Sequence, residues 1–155
     1  MKKVILFLLL LQVLPLSATE DKASIELPKD ISLLLQQEMQ QIRQGMESLT
    51  WLVASGNFSA VAKVAQELEA GYIMKHKLSK EQRHLLVATL PSGFKALDQR
   101  FHAQAGLLAV AAQQHDAELV NFYIYKMNEA CVACHAEYVS DRFEGFSSPS
   151  SHSHH

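Results

Sequence analysis

The chain has 155 residues, with 14 Lys or Arg against 16 Asp or Glu, so its formal net charge at pH 7 is −2. A nearly neutral chain without a basic patch is not expected to bind nucleic acid or an anionic membrane surface. Hydrophobic residues make up 48% of the chain, and its length is enough for one domain with a buried core.

The first 18 residues, MKKVILFLLLLQVLPLSA, have the order of a secretory signal peptide. Two lysines precede an apolar run, and Ser17 and Ala18 form a small-residue cleavage site. The apolar run is shorter than the roughly 20 residues that a membrane-spanning helix needs. We therefore predict a signal peptide over residues 1–18, a periplasmic location and no stable membrane insertion.

The mature chain is expected to hold one domain over residues 19–146. Cleavage after Ala18 would leave 137 residues with a formal charge of −4. The tail over residues 147–155 contains only Ser, Pro and His, so it has nothing to bury and is expected to be disordered.

A first long helix is predicted from the spacing of its apolar residues. Pro28 and Asp30 suit its start, and Gly56 suits its end because glycine readily takes the left-handed conformation. Steps of three and four residues, which only a helix brings onto one face, separate Ile31, Leu35, Met39, Ile42, Met46, Leu49 and Val53.

Two further helices are predicted before residue 91. One begins at Asn57 or Ser59, carries Tyr72 inward near its end and is weakened there by Gly71. The other is short and runs toward Leu90. It is indicated by a serine and a glutamine, residues 79 and 82, at the spacing of a capping box.

Two more long helices follow the break at Pro91 and Gly93. The first is predicted from about Ser92 to Gln114, and Asp116 is a suitable N-cap for the second. The residues at helical spacing in this second helix are Leu119, Tyr123, Met127, Ala130, Cys134 and Tyr138. Four long amphipathic helices, mostly short connections and no alternation of period two predict an all-α fold, an antiparallel up-down-up-down four-helix bundle.

The segment CVACH, residues 131–135, contains the only two cysteines of the chain. On a helix, Cys131, Cys134 and His135 project from one face within one turn. Two such cysteines can form thioether bonds to the two vinyl groups of one haem, while the adjacent imidazole reaches the iron. The motif therefore predicts one covalently bound haem c in the bundle.

A disulfide, a redox-active cysteine pair and a zinc site are other interpretations of the same motif. A disulfide or a redox-active pair would leave His135 without a role and lacks the βαβ context of thioredoxin-like proteins. A zinc site would need a fourth ligand, and no second cysteine pair is present to supply it.

A haem motif on the last helix of a secreted four-helix bundle of this size resembles the class II c-type cytochromes, the cytochrome c′ family. The resemblance covers essentially the whole mature chain in helix order and motif placement. It implies that Cys131 and Cys134 bind the haem and that His135 is the axial ligand. Tyr138 matches an aromatic residue that commonly follows the histidine. A basic residue often comes next in the family, but Val139 stands here, and residue 142, an arginine, can replace it only if the helix continues.

The resemblance also directs attention to the sixth coordination position of the iron, which a first-helix residue meets in that family. An apolar residue there leaves the iron five-coordinate, whereas a methionine ligates it. We predict Met39 as the distal iron ligand, with Met46 as the alternative sixth ligand. Methionines on an apolar stripe also suit the ordinary role of core filler.

The remaining histidines and aromatic residues receive simpler predictions. Histidines among polar neighbours or at helix ends are expected to be merely solvated, which applies to His76, His84, His102 and His115. Aromatic residues expected to pack the haem or the bundle core are Trp51, Phe58, Phe94, Phe101, Phe122 and Tyr123.

Together these features predict a periplasmic mono-haem c-type cytochrome that transfers single electrons to redox partner proteins. No constellation of catalytic acid and base is evident, so no enzymatic activity is predicted. The alternative is a five-coordinate haem protein that binds or sequesters small gases, NO or CO. The resemblance further implies a homodimer through the first two helices, although glutamines at positions 36, 37, 40 and 41 make that outer face polar.

Overall fold

The computed structural model describes residues 25–146, apart from the side chain at position 144. The predicted signal peptide and the predicted disordered tail lie outside the described residues. The helices are α1 Lys29–Ala54, α2 Phe58–Ala70, α3 Met74–Lys77, α4 Lys80–Thr89, α5 Ser92–Gln113 and α6 Ala117–Tyr138, followed by 3₁₀ turns over Ser140–Arg142 and Glu144–Phe146. No strand occurs between residues 25 and 146, and the all-α prediction is confirmed.

The four long helices α1, α2, α5 and α6 form the predicted up-down-up-down bundle. Only three residues separate α1 from α2 and α5 from α6, which makes each pair antiparallel. The antiparallel packing of α2 on α5 is visible at both ends of α2. The Phe58 ring stacks on His115 with centroids 5.5 Å apart, and the Leu68 carbonyl oxygen lies 2.7 Å from Nδ1 of His102.

Local sequence signals determine where several helices begin and end. The side chains of Asn57 and Asp116 accept backbone N–H groups in the first turns of α2 and α6. Ser79 and Gln82 form the predicted capping box at the start of α4. Gly56 has a φ of +70° just after α1, a conformation that glycine adopts without strain.

The connection between α2 and α5 differs from the prediction. The second helix ends at Ala70, so Tyr72 lies beyond it, after Gly71 with its φ of +73°. The short helices α3 and α4 fill this connection and pack on the start of α1. Their contact forms a small hydrophobic cluster in which Ile31, Leu78 and Leu86 are buried.

The main core lies where α5 packs against both α2 and α6. Its largest fully buried side chains are Leu49, Leu68, Leu108, Met127, Val61 and Val120, with alanines between them that let the helices approach closely. α1 packs mainly on α2 and makes few contacts with α6. This uneven packing leaves a groove between α1 and α6, and the predicted site lies along it.

Candidate cofactor site

The three residues of the sequence motif lie together on α6. Cys131, Cys134 and His135 are all half-buried and line one cavity at the groove. Both cysteines are free thiols, so no disulfide joins them. Because α6 continues to Tyr138, the motif sits on regular helix and its side chains project from one face, as predicted.

This cavity has a volume of about 130 Å³ and an apolar wall. Leu35, Met39 and Ile42 of α1 form one side of it. Three residues of α5, at positions 94, 97 and 101, form its floor with Phe, Leu and Phe side chains. A planar apolar macrocycle attached at the thiols would therefore contact hydrocarbon on α1 and α5, which fits the requirement of a bound haem.

A second cavity of about 410 Å³ adjoins the first and shares Leu35, Met39, Phe94 and Asp98 with it. It extends toward the ends of α2 and α4, and its polar wall includes Glu38, Lys75 and His102. The two cavities together fall in the size range of small-molecule sites, roughly 300 to 1,000 Å³. The donor set and the shape of the groove thus fit one haem attached to α6.

The two candidate methionines of α1 have different surroundings. Met39 lines both cavities and is 38% exposed. Met46, two turns later, packs against the main core and lines neither of these cavities. The structure therefore brings Met39, and not Met46, next to Cys131, Cys134 and His135.

Leu35 is a residue of the site that the sequence reasoning did not single out. It lies one turn before Met39 and lines both cavities. Its place on the α1 stripe was the available signal, but periodicity does not distinguish a residue that faces a cavity from one that faces a helix. Leu35 is the apolar counterpart of Met39 on the same side of the groove.

Burial shifts the pKa values of all three motif residues. It raises the pKa of the Cys131 thiol, and it raises the pKa of Cys134 to about 11, with nearby Asp98 adding to the shift. Burial also lowers the pKa of His135, so its imidazole is neutral near pH 7 and keeps a lone pair for a metal. Both thiols are consequently protonated at neutral pH.

No cluster of three or more His, Cys, Asp or Glu side chains between residues 25 and 146 could hold a metal ion. His135 is thus not part of a metal-binding cluster of protein side chains in this range. One imidazole beside two thiols suits an iron already held by a macrocycle better than a bare ion, which needs a full set of protein ligands.

Arg142, the first basic residue after the motif, lies beyond the end of α6. α6 stops at Tyr138, and the chain continues into a 3₁₀ turn that leaves Arg142 exposed. Arg142 therefore does not extend the helix that carries His135. Instead, the turn brings Phe143 onto the imidazole of His135, with ring centroids 4.6 Å apart and planes 13° from parallel. The sequence reasoning missed Phe143 because it lies outside any helical period.

Three of the four histidines expected to be solvated are exposed, although the ring of His115 also stacks on Phe58. His76, His84 and His115 are exposed, whereas His102 is half-buried and bonded to the Leu68 carbonyl. The expectation of mere solvation was wrong for His102, because a half-buried ring nitrogen requires a partner and the end of α2 supplies one.

The aromatic residues divide between the site and the surface. Phe94 and Phe101 line the cavity, and Phe58 and Tyr123 pack against the core, as predicted. Trp51 is 74% exposed and Phe122 is 51% exposed, so the prediction that they pack the haem or the core was wrong. Neither side chain packs into the main core.

Comparison with known proteins agrees with this geometry. A family model described as Cytochrome C' matches residues 29–139, which extend from the start of α1 to the residue after α6. The matched range contains the whole groove and its three motif residues. No curated protein and no solved structure matches the chain. Within residues 25–146, none of the helices has the length and apolar character needed to cross a membrane.

Proposed function

The chain belongs to the cytochrome c′ family, and on this premise we propose that it is a periplasmic mono-haem protein that transfers single electrons. Membership of this family implies a covalently bound haem c, whose iron supplies a reversible one-electron couple when bound. No enzymatic turnover is part of the proposal.

Each motif residue has a distinct role in this proposal. The sulfurs of Cys131 and Cys134 carry the thioether links that fix the group to α6. The neutral imidazole of His135 donates its lone pair to the iron from the same helix. Apolar side chains at the groove, among them Phe94 and Phe101, exclude water and so disfavour the more highly charged oxidised iron.

The position of Met39 is the observation that carries electron transfer over gas binding. Its thioether side chain lines the same cavity as His135 but comes from the opposite wall, α1. A histidine and a methionine on opposite sides give an iron with two protein ligands, and such an iron exchanges electrons without binding gases. Met46, the alternative sixth ligand, is held in the main core and has no comparable access.

Leu35 supports the second candidate function, a five-coordinate haem protein that binds NO or CO. It lines the same cavity one turn from Met39, and its side chain has no atom that can ligate iron. If Leu35 rather than Met39 covers the distal face, the iron keeps an open position behind an apolar wall.

Absorption spectra of the holoprotein with Met39→Leu and the matched control Met46→Leu test the proposal. We expect a low-spin ferrous spectrum that is insensitive to CO in the parent protein and in Met46→Leu. Met39→Leu should give a high-spin spectrum that shifts with CO. A parent protein that is high-spin and binds CO would favour the gas-binding function instead. A change in Met46→Leu alone would assign the sixth ligand to Met46.

A homodimer through α1 and α2 is also proposed. The exposed indole of Trp51, near the end of α1, is the kind of large side chain that a subunit interface covers. Analytical ultracentrifugation of the parent protein and of Trp51→Ser tests this, and a monomeric parent protein would contradict it.

A further inference from the structure

The imidazole of His135 is in face-to-face contact with one aromatic ring. The Phe143 phenyl lies 4.6 Å from it, centroid to centroid, at an interplanar angle of 13°. Aromatic pairs at this separation attract each other beyond the effect of burial alone, by about 0.5 to 1.5 kcal/mol. The pairing joins the predicted iron ligand to a residue eight positions later in the chain.

Backbone hydrogen bonds hold Phe143 in this place. The Val139 N–H closes α6 on the His135 carbonyl at 3.1 Å, and the Arg142 N–H bonds the Val139 carbonyl at 3.0 Å. The Phe146 N–H bonds the Phe143 carbonyl at 2.9 Å. The chain thus turns back on α6 in two consecutive 3₁₀ turns and does not trail away from it.

A second aromatic residue supports the first. The Phe146 ring meets the Phe143 ring edge to face, with centroids 6.2 Å apart and an angle of 70°. The family match ends at Val139, so both phenylalanines belong to a segment that follows the matched range. The contact therefore involves residues outside the family match.

We propose that Phe143 is a positioning residue that fixes the plane of the His135 imidazole. The inference rests on the proposed function only in taking His135 as an iron ligand. A ligating nitrogen uses a lone pair in the plane of its ring, so a partner on the ring face leaves that nitrogen accessible. The χ2 torsion of a histidine side chain has a broad distribution, and a flat ring packed on the imidazole restricts it.

The orientation of an axial imidazole determines how unpaired spin spreads over a ferric haem. In most metal sites a hydrogen-bonded partner of the ligating histidine sets its orientation. In this protein the stacked ring of Phe143 is the proposed partner that orients His135. Redox potential alone is a poor readout of this effect, because the π face of Phe143 favours the oxidised site while its exclusion of water disfavours it.

Proton NMR of the ferric holoprotein, made in a host that attaches haem c, measures the orientation directly through the shifts of the haem methyl groups. We would compare Phe143→Leu, which keeps apolar cover but removes the flat ring, with the conservative variant Phe143→Tyr. The matched control is Phe146→Leu, the same change at the ring that does not touch His135.

We expect Phe143→Leu to change the order or spread of the methyl shifts, and Phe143→Tyr and Phe146→Leu to keep the parent pattern. An unchanged pattern in Phe143→Leu would overturn the proposal, as would equal changes in Phe143→Leu and Phe146→Leu. The His135→Ala variant separates this from the proposed ligation. If its methyl shifts match those of the parent protein, His135 is not the ligand, and both proposals fail together.

Discussion

Glu38 of α1 accepts the backbone N–H of Tyr72 at 2.8 Å, a bond between residues 34 positions apart. The same carboxylate also accepts the N–H groups of Ile73 and of Met74, the latter at 2.9 Å. Glu38 is only 4% exposed, so it is a buried carboxylate that satisfies three backbone donors at once. It fixes the chain after α2 to α1, one residue before Met39.

Glu38→Gln is therefore expected to lower the free energy of unfolding by about 1.5 to 3 kcal/mol, the range for hydrogen bonds to a charged group. One end of the new glutamine side chain is an NH2 donor. It would face backbone N–H groups that are also donors and cannot accept its hydrogen bond. The matched control is Glu47→Gln on the same helix. The Glu47 carboxylate is exposed and lies 2.7 Å from Arg43, so its loss should cost less than about 0.5 kcal/mol. Urea unfolding followed by circular dichroism measures both, and equal losses would contradict the prediction.

The burial of Glu38 also shows where sequence periodicity stops being informative. Ile31, Ile42 and Leu49 of the predicted α1 stripe are buried, but Met39 is partly exposed. The middle of α1 faces the groove and not another helix, so its apolar side chains meet a cavity. Glu38 is buried against the connection that follows α2. No local sequence pattern specifies the path of that connection, so periodicity does not predict this burial.

The sequence predicted features that depend on residues close together in the chain, such as helix starts. The side-chain caps of α2, α4 and α6 involve residues within three positions of one another. The caps of α4 and α6 were predicted from the sequence, and the start of α2 was predicted at Asn57 or Ser59. The motif on α6 was equally local. Phe143 was missed for the opposite reason, because its approach to His135 depends on a turn after α6 that has no periodic signature.

Gly45 and Gly106 offer a matched pair of helix-interior glycines. A Cβ on Gly45 would lie 2.8 Å from the Tyr72 hydroxyl and 3.2 Å from a methyl carbon of Leu68, inside the contact of α1 with α2. A Cβ on Gly106 would lie 2.6 Å from the carboxylate of Glu69, whose side chain is exposed and can swing away.

Replacing a helical glycine with alanine gains about 0.5 to 1 kcal/mol from backbone entropy, while overpacking a buried contact costs about 1 to 3 kcal/mol. Gly106→Ala should therefore stabilise the protein, and Gly45→Ala should destabilise it by about 1 kcal/mol net. Thermal unfolding of the two variants under the same conditions provides the measurement. A stabilised Gly45→Ala would contradict the prediction, because it would mean that α1 has room for a methyl group beside Tyr72 and Leu68.

His102 gives the protein a pH-dependent contribution to its stability. The Asp98 carboxylate, 3.5 Å from Nε2, raises the pKa of His102 more than burial lowers it, and the Leu68 carbonyl adds to the rise. A raised pKa means that the folded state binds the proton more tightly than the unfolded state does. The stabilisation is complete below the ordinary imidazole pKa of about 6.5 and is lost as pH rises through the folded value.

Asp98→Asn should therefore cost more stability at about pH 5.5, below the ordinary imidazole pKa, than at about pH 9. Asp98 is half exposed, so the difference should be no more than about 1 kcal/mol. Urea unfolding at the two pH values measures it. In a His102→Gln background the cost of Asp98→Asn should become the same at both. A pH-dependent cost that persists without the imidazole would assign the effect to another group.

Covalent attachment is the prediction on which the haem interpretation depends most directly. Cys131 and Cys134 are both free, half-buried and on the face of α6 that lines the groove, so each is placed to carry one thioether link. Protein from a maturation-competent host should keep its haem under denaturing acid extraction, and its mass should exceed that of the polypeptide by one haem. Cys131→Ala and Cys134→Ala should each retain one link, whereas the double variant should release the haem. The bare polypeptide mass in the parent protein would contradict the assignment, and haem retention by the double variant would place the attachment elsewhere.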